Sequence, residues 1–217
     1  MPSQNPTQNT AATAGPATAP GTSFSCQVVG VGGQGAVLAS RLVAAACMAR
    51  GSFVRTAETI GMSQRGGTVA SHVRVAATAG ELPSSLIPTG AANLVLAFEP
   101  GEAVRAIAQL APAGILVTST HPVVPSFAAT SGYDGQAQLA WLRANVPASR
   151  LRAVDVDVLE REGLSPKSAN VLLLGVASGM GALPVTADDL HAVLRQLMRP
   201  ALVAANDRAL DLGISLA

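Results

Sequence analysis

The apolar positions of the chain alternate between strand-like and helix-like spacing from residue 24 onward. Phe24–Val31 predicts a buried strand, and the short apolar run Asn93–Phe98 predicts a central one. Thr68–Val75 places its valines at every second position, which is typical of a half-buried strand. Further strands are predicted at Ser52–Ala57, Gly114–Thr118 and Leu151–Val156.

Helical spacing fills the intervals between these strands. Gln34–Arg50 has apolar residues at helical spacing, and Gly51 follows in the position of a C-terminal cap. Thr186 and Asp189 are spaced as a capping box. Other helices are predicted from Pro100 onward and at Gln136–Val146, Ala169–Met180, Ala187–Leu197 and Pro200–Leu212. The order predicts an α/β, Rossmann-like fold with a mostly parallel, doubly wound sheet and a helical C-terminal part.

The first 22 residues differ from the rest of the chain. They contain no charged side chain and no large apolar residue after Met1, so they cannot bury enough surface to offset the entropy of ordering. We expect residues 1–22 to be a disordered extension, neither a secretory signal nor a transit peptide. Residues 23–217 have the size of a single domain.

Composition excludes several classes of function. The net charge of +1 does not indicate a nucleic-acid-binding protein, and no apolar run is long enough for a membrane helix. The two cysteines, Cys26 and Cys47, lie in apolar runs and are expected to be buried thiols. Two thiols are too few for a four-cysteine iron–sulfur cluster, and the three histidines are scattered, so no metal site is predicted. Only 12% of residues are charged, which favours burial in a larger assembly.

A glycine-rich turn follows the first strand, and we call Gly30–Gly35 the glycine loop. Its members are Gly30, Gly32, Gly33, Gln34 and Gly35. The glycine spacing fits the dinucleotide-binding pattern, and the helix beyond it favours anions. The acid expected at the end of the second strand is missing, since only Glu58 lies slightly beyond it. Three interpretations stay open: a classic dinucleotide site, a tight turn without ligand, or a site for another phosphate or a partner's backbone.

A second glycine-framed segment, which we call the Arg65 loop, runs from Ser63 to Gly67. It consists of Ser63, Gln64, Arg65, Gly66 and Gly67. Two glycines permit close approach of another backbone, and the guanidinium offers a planar fork for carboxylate or phosphate. The segment Glu58–Gly67 is longer than a strand-to-helix turn needs. A solvated loop with an arginine at its tip is the alternative.

Glu99 is a third candidate, at the end of the fourth predicted strand. Ligand binding or an interface role is as plausible as a structural one, whereas Glu102 is expected to form a helical pair with Arg105. Because all three motifs follow strands, we expect them to meet at one edge of the sheet. No catalytic residue is predicted, since the sequence has no recognisable nucleophile–base signature and no P-loop lysine. The chain has the features of part of an enzyme.

Four segments together resemble the gamma domain of the 2-oxoacid:ferredoxin oxidoreductases, and most closely the small (beta) subunit of the indolepyruvate enzymes. They are GVGGQGAVLASRL, ETIGMSQRGGTVASHVR, ANLVLAFEPGEAVR and NVLLLG, in this order. The resemblance covers roughly residues 24–182. The second and third segments are specific, whereas the glycine loop alone is not.

The resemblance implies oxidative decarboxylation of an aryl 2-oxo acid, with transfer of the acyl group to coenzyme A and of electrons to ferredoxin. It places thiamine diphosphate, magnesium and the iron–sulfur clusters on a large (alpha) subunit, in a cytoplasm that uses ferredoxin. This chain would bind no cofactor alone and would contribute the glycine loop, the Arg65 loop and Glu99 to the wall of a composite active site. No residue here decides which 2-oxo acid is preferred.

Two other interpretations remain open. One is a free-standing Rossmann-type nucleotide-binding protein. The other is a non-catalytic subunit whose glycine loops only pack against a partner. The missing second-strand acid argues against the former.

Overall fold

A computed structural model of the chain describes residues 23–61, 67–123 and 132–217. The predicted extension 1–22 and residues 63–66 of the Arg65 loop lie outside this part. One sheet has the strand order β2-β3-β1-β4-β5-β6. The strands are β1 Phe24–Val31, β2 Phe53–Ile60, β3 Thr68–Ala76, β4 Ala92–Ala97, β5 Leu110–Ser119 and β6 Leu151–Val154.

The sheet is mostly parallel, as predicted. Strands β1, β4, β5 and β6 are parallel neighbours, whereas β3 runs antiparallel to both β1 and β2. Strand β2 extends to Ile60, which pairs with Val69, so β2 and β3 form a hairpin. The segment Glu58–Gly67, which the sequence predicts to be a loop throughout, begins inside β2. It spans the end of one strand and a hairpin loop, which antiparallel pairing allows to be short.

Seven α-helices cover the two faces of the sheet in the described residues. They are α1 Ala36–Ala49, α2 Pro100–Ala106, α3 Gly135–Asn145, α4 Val158–Arg161, α5 Ala169–Gly179, α6 Ala187–Leu197 and α7 Pro200–Ser215. Helices α1 and α5 contact one face, and α7 packs mainly on α5. Helices α2 and α3 lie on the other face, so the sheet is doubly wound. None of the helices in the described ranges is both long and apolar enough to cross a membrane.

Side-chain alternation along the strands produces two separate cores. Val28 and Leu96 belong to the core under α1 and α5, whereas their neighbours Val29 and Val95 belong to the core under α2. Both cysteine side chains are fully buried in the first core, as predicted. Their thiols pack within this core, and burial raises the pKa of Cys47 to about 12.

The C-terminal helices dock through local contacts that the sequence indicates. Thr186 and Asp189 form the predicted capping box at the start of α6. Helices α5 and α7 approach closely at Gly175 and Gly213, where an added β-carbon would lie within 2.2 Å and 2.1 Å of the opposing carbonyl oxygens. This contact holds α5 in place, and α5 begins at the site described next.

Candidate functional site

The three predicted motifs meet at one edge of the sheet, where β1, β2 and β4 all end. The Gly32 amide donates a hydrogen bond of 2.9 Å to the carbonyl of Gly67, which joins the glycine loop to the Arg65 loop. The Phe98 amide donates a 2.9 Å bond to the Val29 carbonyl, which joins the ends of β1 and β4. The expectation of one shared edge is thus confirmed for the described members of the three motifs.

The glycine loop uses its glycines for backbone shape and close packing. Gly33 and Gly35 have φ angles of +100° and +84°, which a residue with a β-carbon rarely adopts. Gly30 lies at the end of β1, where an added β-carbon would be 2.9 Å from the side-chain oxygen of Gln34. The loop therefore follows the strand–turn–helix geometry that the sequence predicts.

Gln34 fastens the glycine loop to the sheet. Its side-chain oxygen accepts a 2.7 Å hydrogen bond from the Val31 amide, and its Nε2 donates a 3.0 Å bond to the Phe98 carbonyl. Both ends of the side-chain amide are thus engaged within the chain. Gln34 shapes the wall of the site, while its outer surface lines the crevice described below.

Asn170 fastens the glycine loop from the opposite side. It lies in the first turn of α5, is only 4% exposed, and donates from Nδ2 to the Gly35 carbonyl at 3.3 Å. Its Oδ1 accepts from the Val171 amide at 2.9 Å. Asn170 opens the NVLLLG segment, so this part of the sequence motif holds the start of α5 against the start of α1.

An open crevice of about 910 Å³ lies beyond the carboxyl ends of β4, β5 and β6. The chain leaves β1 through α1 on one face and β4 through α2 on the other, which makes the β1–β4 boundary the switch point of the sheet. Ligands of doubly wound sheets bind at this position. The lining residues are Gly33, Gln34, Gly35, Leu38, Phe98, Ser119, His121, Val123, Val156, Asp157, Glu160, Arg161, Pro166, Lys167, Ala169 and Asn170.

The far rim of the crevice carries charged side chains. Arg161 pairs with Asp155 at 2.8 Å, and the hydrogen bond from Arg161 lowers the pKa of that carboxyl group. His121 lies 3.4 Å from Asp157. Lys167, the single lysine of the chain, lies just before α5 and is exposed. The crevice thus offers exposed cations beside the N-termini of α1 and α5, an arrangement that suits an anionic group.

Glu99 lies behind the wall, outside the crevice lining. Its side chain is fully buried and accepts a 2.9 Å hydrogen bond from the Glu102 amide as the N-cap of α2. The Tyr133 hydroxyl donates to the other carboxylate oxygen and accepts a 3.1 Å bond from the Gly101 amide. Burial and the bond to Glu99 raise the pKa of Tyr133 far above its usual range. In the chain alone Glu99 is a capping group, and its contact with a ligand remains a prediction.

Glu102 is also buried, with 1% of its surface exposed. It forms the predicted pair with Arg105 and accepts a 3.1 Å hydrogen bond from the Thr68 hydroxyl. Burial raises its pKa, although the charge of Arg105 and the bond from Thr68 act in the opposite direction. The sequence alone predicted the helical pair but gave no indication of this burial.

Several crevice residues were missed from the sequence. They are Ser119, Asp157, Glu160, Arg161, Lys167 and Asn170. The rule that ligands lie outside strand carboxyl ends applies to Ser119, which is the last residue of β5, and to Asp157, which follows β6. Nothing local to Lys167 or Asn170 indicates the crevice, because α5 reaches it only through tertiary packing. Ser63, Gln64, Arg65 and Gly66 lie outside the described residues, so their predicted roles remain predictions.

The arrangement differs from a dinucleotide-binding Rossmann unit. In that unit the second strand ends with an acid that contacts the ribose. Here the antiparallel strand β3 separates β2 from β1, and Glu58 lies exposed on the edge strand β2. The second strand therefore does not bring an acid beside the glycine loop.

Comparison with known proteins agrees with this geometry. Residues 25–216 match the family model described as pyruvate ferredoxin/flavodoxin oxidoreductase. The chain belongs to this family. The indolepyruvate oxidoreductase subunit IorB of Archaeoglobus fulgidus is 34% identical over 88% of the chain and 93% of the relative. IorB of Pyrococcus horikoshii is 31% identical over 89% of the chain and 96% of the relative.

Solved structures share the fold at lower sequence identity. The gamma subunit of a keto/oxoacid ferredoxin oxidoreductase from Geobacter sulfurreducens aligns with a TM-score of 0.64 at 18% identity, over 89% of the chain and 98% of that subunit. A 2-oxoglutarate:ferredoxin oxidoreductase from Magnetococcus marinus aligns with a TM-score of 0.64 at 20% identity over 90% of the chain, which spans 31% of that larger protein. The fold is thus that of the oxidoreductase gamma subunit.

The described residues of this chain do not form a site for an iron–sulfur cluster. Its two cysteines are buried in the core, and within the described ranges no group of three or more histidine, cysteine or acidic side chains could hold a metal ion. An iron–sulfur cluster of the usual kind would require four cysteine thiolates.

Proposed function

We propose that this chain is the small subunit of a thiamine-dependent 2-oxoacid:ferredoxin oxidoreductase that acts on aryl pyruvates, with indolepyruvate as the expected substrate. The similarity to IorB subunits, over 88% and 89% of this chain, supports the assignment. Thiamine diphosphate, magnesium and iron–sulfur clusters would belong to a large partner subunit, and ferredoxin would accept the electrons in the cytoplasm. The chain alone would be inactive.

We further propose that the crevice seats coenzyme A and forms one wall of the composite active site. The observation that carries this proposal is the crevice at the switch point, bordered by the glycine loop and by exposed Lys167. Coenzyme A combines phosphates, which suit cations and helix N-termini, with an apolar arm that suits Leu38 and Val156. The Magnetococcus marinus structure contains bound coenzyme A and succinyl-CoA.

In this mechanism the chain binds the ligand and excludes water from the active site. The large subunit's cofactors would supply the decarboxylation and electron-transfer chemistry. On this side, the rigid glycine loop lets a ligand approach the backbone closely, and its fastening by Gln34 and Asn170 fixes that approach. Arg65 would contact a phosphate or carboxylate of the bound molecules.

Anaerobic purification of the tagged chain from its native host tests the assembly. We expect a larger, cysteine-rich, thiamine-binding chain and several iron atoms to co-elute with it. Recovery as a lone, iron-free protein would contradict the proposal. A thermal-shift titration with coenzyme A and with NAD then separates the proposal from the nucleotide-binding alternative, because saturable stabilisation by NAD alone would favour that alternative.

Substitution of Arg65 in the assembled complex tests the composite site. Arg65→Ala should raise the KM for coenzyme A or the 2-oxo acid, or lower kcat, since it removes a charged hydrogen-bond donor. The matched control is Arg143→Ala, because Arg143 is exposed on α3 on the other face of the sheet. Unchanged kinetic constants in Arg65→Ala would remove this residue from the site.

A further inference from the structure

Glu102 has a burial and a bonding pattern that the helix α2 does not require. The helix already has Glu99 as its N-cap, and a Glu102–Arg105 pair would form equally well on an exposed face. Instead the carboxylate is buried, with Oε1 bound to Thr68 and Arg105, and Oε2 has no hydrogen-bond partner among the residues that the structure describes. A buried carboxylate with an unfilled oxygen is costly, so this position calls for an explanation beyond the helix.

Thr68 connects Glu102 to both glycine-framed loops. It is the first residue of β3 and directly follows Gly67. The Gly67 carbonyl accepts from the Gly32 amide at 2.9 Å, and the Thr68 carbonyl accepts from the Gly61 amide at 2.9 Å. The path from α2 to the glycine loop is therefore Glu102, Thr68, Gly67 and Gly32, with a hydrogen bond or a peptide bond at each step.

We infer that Glu102 is a positioning residue that, through Thr68, fixes the end of the Arg65 loop against the glycine loop. The inference rests on the proposed function in one respect: the wall that Glu102 holds is the wall that we assign to coenzyme A and the 2-oxo acid. Glu102 contacts neither molecule. Because the carboxylate is buried, water cannot replace the Thr68 hydroxyl or the Arg105 guanidinium as a donor to Oε1.

The test uses the assembled complex and both ends of the hydrogen bond. Thr68→Val and Glu102→Ala remove the donor and the acceptor, whereas Thr68→Ser and Glu102→Gln keep them. We expect the first two to raise the KM for coenzyme A or the 2-oxo acid about fivefold, the cost of one hydrogen bond, with kcat within about twofold of wild type. Thr68→Ser and Glu102→Gln should keep the KM values close to those of wild type. The double variant Thr68→Val/Glu102→Ala should match the single ones.

Hydrogen exchange of the Gly32 amide in the same complexes gives a readout that does not depend on turnover. Thr68→Val should speed this exchange, because the Gly67 carbonyl that accepts from Gly32 loses the side-chain anchor at the next residue. The matched control is Thr56→Val, since Thr56 is exposed on β2. If Glu102→Ala fails to assemble, Thr68→Val alone decides.

Failure of this inference is distinguishable from failure of the proposed function. Wild-type activity with unchanged KM and unchanged Gly32 exchange in Thr68→Val would overturn the positioning role and leave the proposed function intact. A wild-type complex without 2-oxoacid oxidation would overturn the proposed function, and the Gly32 exchange would then decide the positioning role. A loss of kcat in proportion to a loss of folded protein, with KM unchanged, would mark Glu102 as a stability residue only and would also overturn the inference.

Discussion

The side-chain amide of Asn170 donates a hydrogen bond to the carbonyl of Gly35 at 3.3 Å, and a β-carbon on residue 35 would lie 2.3 Å from the same nitrogen. The contact joins the first turn of α5 to the N-cap of α1. It requires a glycine for two reasons, since residue 35 also has a φ of +84°. The crevice lies beside these helix ends, so its shape depends on this hydrogen bond and on the glycine at residue 35.

Gly35→Ala should destabilise the chain by about 2 to 4 kcal/mol, the sum of left-handed backbone strain and overpacking. Gly51→Ala is the matched control, because Gly51 has a φ of +83° but no atom within 4 Å of an added β-carbon. That variant should lose only about 1 to 2 kcal/mol. Urea unfolding of both variants measures the difference, and equal losses would show that the Asn170 contact adds nothing.

Gln34→Ala tests the fastening of the glycine loop to β4. The substitution leaves the Val31 amide and the Phe98 carbonyl without their side-chain partners, so we expect a loss of about 1 to 3 kcal/mol in the free energy of unfolding. Gln136→Ala is the control, since Gln136 is exposed on α3 and its loss should change stability by less than about 0.5 kcal/mol. A Gln34 variant as stable as this control would contradict the fastening role.

Sequence patterns predicted the elements better than their connections. The strands β1 and β4 and the helix α6 follow from apolar periodicity and capping residues, and the structure confirms each. The β2–β3 hairpin was missed because strand direction depends on pairing partners, which the local pattern of Thr68–Ala76 does not specify.

In the candidate site too, local backbone geometry could be predicted, whereas contacts between distant elements could not. The glycine loop could be predicted because glycine spacing reports backbone geometry directly. Asn170 and Lys167 could not, since they reach the crevice through the docking of α5 from 135 residues away in sequence, the separation of Asn170 from Gly35. The burial of Glu102 was missed because it depends on Thr68, which comes from β3.

Glu102 should give the stability of the chain a dependence on pH. Burial raises its pKa above the ordinary value of 4.5, so the folded chain holds the proton more tightly than the unfolded chain does. The resulting stabilisation is fully present below the ordinary pKa and is lost as the pH rises through the raised pKa. We expect the urea midpoint of wild type, relative to that of Glu102→Gln, to fall as the pH rises above about 4.5. A constant difference between the two midpoints would contradict the raised pKa.

Cys26 and Cys47 should resist thiol reagents in the folded chain. Burial raises both pKa values, that of Cys47 to about 12, so almost no thiolate forms near neutral pH. An aromatic disulfide reagent should label neither thiol in the native chain and both of them in guanidinium chloride. Rapid labelling of either cysteine under native conditions would show that the core opens locally.

Gly175→Ala tests the close packing of α5 on α7. We expect it to lower the stability of the chain, although helix propensity alone would raise it. Alanine in a helix interior normally adds about 1 kcal/mol of stability relative to glycine. Here the added β-carbon would lie 2.2 Å from the Leu210 carbonyl oxygen, a backbone atom that moves only if the helices separate. We therefore expect a net loss of about 1 to 3 kcal/mol.

The control for this substitution is Gly80→Ala, since a β-carbon at residue 80 would have no atom within 4 Å. Its free energy of unfolding should be unchanged or slightly raised, because alanine reduces the conformational entropy of the unfolded chain. Separation of α5 from α7 would also shift Asn170, which lies on the first turn of α5 beside the glycine loop. The Gly175 variant should therefore also show faster hydrogen exchange at Ala39, whose amide donates to the Gly35 carbonyl. Loss of stability without that change would confine the effect of Gly175 to the helix pair.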